Sequence, residues 1–68
     1  MKLFSDRLKD LRVNANFTQR QIAEMLGMKQ QSYMRYENNT GEPNLDTVVK
    51  LCEIFDVSSD YLLGISDF

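Results

Sequence analysis

The run Lys29-Gln30-Gln31-Ser32-Tyr33-Met34-Arg35 holds the side chains whose types and spacing could do chemistry. Glutamine presents a donor and an acceptor in one plane, which complements the N6 and N7 edge of adenine. Arginine presents paired donors, which complement guanine O6 and N7. Gln31 and Arg35 are four residues apart, so on a helix they leave from one face. The plain alternative for a Gln-Gln pair is a solvated helix face, and the surrounding pattern raises the recognition reading above it. Catalysis has no comparable set. Histidine is absent, Cys52 is the single cysteine, and no nucleophile–base pair is apparent. An internal disulfide is excluded, a zinc site is implausible, and an enzyme is the weakest reading. Cys52 reads as a small buried hydrophobe. No cofactor, metal or small-molecule ligand is indicated.

Such a face needs elements to hold it. The stretch TQRQIAEMLGMKQQSYMRYE, residues 18–37, predicts two short helices joined by a tight turn. Thr18 and Gln21 have the spacing of a capping box, and Phe17 and Ile22 that of a hydrophobic staple. Ile22, Ala23 and Leu26 share one helix face. Gly27 follows the last periodic residue, where a left-handed glycine ends a helix. The second helix is expected from about Lys29 to Asn38. Tyr33 and Tyr36 face inward, and Lys29, Gln30, Gln31, Met34 and Arg35 face out. Helices this short are not stable alone.

The remaining residues read as their scaffold. Phe4, Leu8, Leu11 and Ala15 form a helical stripe from about Leu3 to Ala15, with Arg12 on its edge and Ser5 as a candidate cap. NNTGEPN is a loop. Asn44 caps a helix over Leu45 to Phe55, whose main face is Leu45, Val48, Cys52 and Phe55, widened by Val49 and Leu51. Ser58 caps a last helix, Ser59 to Leu63, and Gly64 stops it. The expected fold is all-α: a compact bundle of five short helices in a single domain, residues 1–68, with a helix-turn-helix formed by the second and third.

The ordered set Gln19, Ile22, Ala23, Gly27, Tyr33 and Tyr36 resembles the helix-turn-helix of the Cro and phage-repressor type. This is the XRE, or lambda-repressor-like, family. The likeness runs through RLKDLR, TQRQIAEMLG, YENN and EPNLDTVVKLCEIFDVSSDYLLG. It implies a transcriptional regulator, a repressor bound to a near-palindromic operator in double-stranded DNA as a homodimer. The second motif helix would lie in the major groove, with Lys29, Gln30, Gln31, Met34 and Arg35 at base edges. Met34 departs from the small polar residue usual there. Thr18 and Gln19 are phosphate candidates, because a helix start offers free N–H groups and a positive dipole end, and Arg20 with the loop residues Asn38, Asn39 and Thr40 are further ones. In the family, the residue matching Gln19 usually bonds a phosphate. Arg12 and Glu37 match a structural ion pair between the first and third helices. The dimer contact is expected at Leu62, Leu63, Ile65 and Phe68, since clustered exposed apolar residues mark interfaces.

The net charge is −2, which does not favour phosphate binding by itself. Its distribution does. Residues 1–37 carry seven basic and four acidic side chains, +3, and residues 38–68 carry one basic and six acidic, −5. The acidic half supports a second reading: a protein-interaction module of the same fold, such as an antitoxin or immunity partner. No apolar run approaches the ~20 residues of a membrane span. The start, MKLFSDRLKD, lacks a signal-peptide apolar stretch, so a cytoplasmic location is expected.

Overall fold

Local chemistry sets where the helices begin and end. The computed structural model of the chain describes residues 1–67. It contains α1 (Lys2–Asn14), α2 (Gln19–Leu26), α3 (Gln30–Glu37), α4 (Leu45–Phe55) and α5 (Ser59–Leu62). At α2 the capping box is closed in both directions: Thr18 Oγ1 accepts from Gln21 N at 3.1 Å, and Gln21 Oε1 accepts from Thr18 N at 2.8 Å. The side chains of Asn44 and Ser58 cap α4 and α5, accepting from Thr47 N at 2.8 Å and Tyr61 N at 3.1 Å. Gly27, at φ +70°, ends α2 in the left-handed conformation that glycine adopts without a Cβ clash. Lys29 and Asn38 flank α3 as its cap residues and stand outside it.

The core draws on every helix. Phe4 and Leu8 come from α1, and Ile22, Ala23 and Leu26 from α2. Tyr33 comes from α3, Leu51 from α4 and Leu62 from α5. Phe17, Leu11 and Phe55 pack partly buried around them. The helix-turn-helix is therefore seated on α1 and α4 through side chains that leave its outer face free.

Four expectations need correction. On α4, Thr47, Val48 and Leu51 are buried and Cys52 and Phe55 pack partly buried against the core, while Leu45 is 82% exposed and Val49 57%, so neither of these two belongs to the inner face. Both sets obey helical spacing, and only the placement of α4 against the bundle chooses between them. Ser5 is no cap. It lies inside α1, buried, and its hydroxyl donates to the carbonyl of Tyr36 at 2.5 Å. That bond satisfies one of the orphan carbonyls at the end of α3. Ala15 follows the end of α1 and is exposed. Leu62, expected at a dimer contact, is wholly buried in the core and has no surface to offer a partner.

The tail after α5 is tied down by Arg7 of α1. The Arg7 Nη1 group donates to the carbonyls of Tyr61 and Ser66, the latter at 2.7 Å. Its guanidinium lies 4.3 Å from the centre of the Tyr61 ring, a cation–π contact. Its Nη2 is 3.6 Å from Asp67 Oδ1. Leu63 is partly buried against the core, and Ile65 is 73% exposed. Phe68, the remaining expected dimer contact, lies outside the described residues. Among those residues, no helix is long and apolar enough to cross a membrane.

Candidate nucleic-acid interface

The site is built from α3 and the start of α2, held by one buried carboxylate. Tyr33 anchors α3 and is fully buried, with Tyr36 edge-on to it at 6.1 Å between ring centres. Four residues after Tyr33, Glu37 gathers four donors. Its Oε2 accepts from Arg12 Nε at 2.6 Å and from the Tyr33 hydroxyl at 2.5 Å. Its Oε1 accepts from Arg12 Nη2 at 3.1 Å and from Gln19 Nε2 at 3.2 Å. Arg12 also donates from Nη1 to the Phe17 carbonyl at 2.9 Å. Glu37 thus joins α3 to α1 and α2, and Arg12 ties in the chain leading into α2.

The pair is almost dry: the Glu37 side chain is 2% exposed and that of Arg12 13%. Burial opposes ionisation of Glu37, but the hydrogen bonds from Arg12, Tyr33 and Gln19 outweigh it and hold its carboxyl below the ordinary value. The Glu37 hydrogen bond raises the Arg12 guanidinium further. Burial, followed by the bond to Glu37, pushes the Tyr33 hydroxyl far above its ordinary value. The phenol therefore stays a donor.

On the other side of α3, Gln30, Gln31 and Arg35 are exposed, as is Lys29 just before the helix. Met34 is half-buried. The chain after α3 folds back on Arg35. Thr40 N donates to the Arg35 carbonyl at 3.0 Å, and a Cβ placed on Gly41 would lie 3.2 Å from Arg35 Cβ. Gly41 thereby lets the loop rest on the arginine stem.

The phosphate candidates differ in their freedom. Thr18 is occupied in its capping box, and Gln19 is bonded to Glu37. Arg20 pairs with Glu24 at 3.2 Å, both exposed, and such a pair is readily given up. Asn38, Asn39 and Thr40 are exposed in the loop. Asn39 is left-handed at φ +59°, and its Oδ1 accepts from the Met1 amino group at 2.7 Å. The backbone N–H groups of Gln19 and Arg20, at the start of α2, have no acceptor among the described residues.

Sequence reasoning missed three members of this assembly. The Tyr33–Glu37 bond has an i, i+4 signature and was open to it. Gln19–Glu37 and Gly41–Arg35 join residues with no local pattern between them. Among the described residues no cluster of His, Cys, Asp or Glu could hold a metal ion. Two open grooves beside Asp56 and Val57 share no residue with the α3 surface. In one of them, burial and then Glu53 raise the Cys52 thiol above its ordinary value, which leaves it a poor nucleophile.

The Helix-turn-helix family HTH_3 matches residues 8–62. The SPbeta prophage-derived uncharacterized HTH-type transcriptional regulator YonR of Bacillus subtilis (strain 168) is 41% identical over 61 residues, covering 90% of this chain and 56% of the relative. The HTH-type transcriptional regulator ImmR of the same organism is 41% identical over 58 residues, 85% of this chain and 46% of the relative. The cryptic phage CTXphi transcriptional repressor RstR of Vibrio cholerae is 34% identical over 65 residues, 96% of this chain and 59% of the relative. The chain spans about half the length of the curated relatives it matches.

Proposed function

The chain belongs to the HTH_3 helix-turn-helix family, and we propose that it is a sequence-specific DNA-binding transcriptional regulator that acts as a repressor. One observation carries this reading. α3 is fixed from behind by buried Tyr33 and Glu37, while Gln30, Gln31 and Arg35 stand exposed on its other side. α3 enters the major groove, where Gln30 and Gln31 read adenine edges and Arg35 reads guanine. Lys29 and Met34 flank that contact. Thr18, Gln19 and Arg20 meet phosphate at the start of α2, and Asn38, Asn39 and Thr40 meet it from the loop.

Repression follows by occlusion: two copies hold their α3 helices in successive major grooves of a near-palindromic operator, roughly 34 Å apart. The contact between copies comes from Ile65 and Phe68 of the tail with Leu63, and Leu62 has no part in it. Footprinting on the DNA that flanks its own gene is expected to reveal two protected half-sites about one turn apart.

The acidic second half keeps a protein-interaction module as the competing reading. Salt separates the two, because phosphate contacts make affinity fall linearly in log-log form with salt. A chain that protects no DNA at low salt yet captures a basic protein partner would overturn the regulator reading.

A further inference from the structure

Glu37 lies at the end of α3, yet one of its oxygens reaches Gln19, eighteen residues earlier, at the start of α2. A carboxylate has about four lone-pair sites, and all four here have a donor: two from Arg12, one from Tyr33 and one from Gln19. The carboxylate is therefore fixed in rotation. The Gln19 amide has two N–H groups and one carbonyl, of which one N–H is committed to Glu37. Its second N–H and its carbonyl remain, beside the open backbone N–H groups of Gln19 and Arg20. An uncompensated carboxylate at this corner would repel a phosphate. Arg12, paired to it at two points, cancels that charge.

We propose that Glu37 is a positioning residue for DNA binding: its carboxylate orients the Gln19 side-chain amide so that the free N–H of Gln19 and the first N–H groups of α2 meet one phosphate together. The proposal rests on the DNA-binding reading above. It joins the reading helix to the backbone contact, so that α3 and the phosphate clamp dock as one rigid unit. The long glutamine side chain is ordered before binding and need not be ordered by it.

The test uses Glu37→Asp, which keeps a charge opposite Arg12 and withdraws the carboxylate from Gln19 by one methylene. Operator affinity is measured for the native chain, Gln19→Ala, Glu37→Asp and the double variant. Each is also measured on operators carrying one neutral methylphosphonate at successive positions. Gln19→Ala is expected to lose roughly tenfold in affinity and to become less sensitive than the native chain to one methylphosphonate position per half-site. Glu37→Asp is expected to lose sensitivity at that same position to a similar degree, and the double variant to bind no worse than the weaker single. A purely structural Glu37 gives losses that multiply, with native sensitivity at that phosphate, and this overturns the proposal while the DNA-binding reading stands. If Gln19→Ala changes no phosphate position, the proposal also falls. A native chain that binds no DNA overturns the reading beneath it. Should Glu37→Asp fail to fold, hydrogen exchange of the two Gln19 amide protons in the native chain, free and on operator, decides. One slow and one fast proton in the free chain and two slow protons on operator support the proposal, and two fast protons in the free chain or an unchanged fast proton on operator overturn it.

Discussion

Arg35 is held by its stem and free at its tip. The loop rests on its Cβ at Gly41, and the guanidinium stands in solvent one turn after Gln31. Arg35→Ala is expected to weaken operator binding by ~1–3 kcal/mol and to relax preference at one position per half-site. Binding to a panel of single-base operator variants checks this, and a uniform loss across the panel would make Arg35 a phosphate contact. Glu37 is the opposite kind of residue, with no exposed tip. Glu37→Ala strands Arg12 and the Tyr33 hydroxyl, at a cost of about 3–5 kcal/mol. That is as large as the whole net stability of a domain this small, about 3–5 kcal/mol, so the variant is expected to be partly unfolded without denaturant. Urea melts of Glu37→Ala and of Arg12→Ala/Glu37→Ala test it; an unchanged midpoint in the single variant would falsify the buried pair. A pH dependence follows as well. The Glu37 carboxyl is held below its ordinary value, so its contribution is complete above that value and is lost as the pH falls through the folded one. Acid melts of the native chain should show this loss, and those of Glu37→Gln should lack it.

At the scale of the element, short helices depend on their ends. α2 and α3 have eight residues each, below the length at which a helix is stable in isolation. α2 compensates with a closed capping box, whereas α3 has no side-chain cap and leans on Tyr33 and Glu37 instead. Thr18→Ala is therefore expected to cost about 0.5–2 kcal/mol in a thermal or urea melt. A matching loss at Lys29→Ala is not expected, because the Lys29 side chain caps nothing. Equal losses at the two positions would show that α2 draws no special stability from its cap. These end signals were legible in the residues themselves. Thr18 with Gln21, Gly27, Asn44 and Ser58 each stand within four residues of the group they satisfy, so spacing alone exposed them.

At the scale of the whole molecule, the tail bears on the proposed contact between copies. Arg7 folds it back on α1 through the carbonyls of Tyr61 and Ser66, leaving Ile65 outward. A tail ordered this way with its apolar side chain in water suits a contact between two copies on DNA. A chain ending at Gly64 is expected to bind operator less cooperatively, by sedimentation with and without DNA, and to melt at a similar urea concentration. Equal cooperativity would remove Ile65 from the interface and turn attention to the exposed pair Leu45 and Val49 on α4.

The residues by themselves determined where α2, α4 and α5 start and where α2 stops, that Tyr33 points in, and that Gln31 and Arg35 share an outer face. Capping, glycine stops and helical periodicity act within one or two turns, so the chain order contains them. Tertiary structure alone decided which of two periodic stripes on α4 is the core, because Leu45–Val49 and Val48–Leu51 have equal claims until a neighbour covers one of them. It alone sorted the apolar residues at the end of the chain, with Leu62 inside, and made Ser5 a partner for Tyr36. It also brought Gln19 to Glu37. Those outcomes depend on contacts between residues far apart in the chain, whose energy is set by burial and packing that no local spacing records.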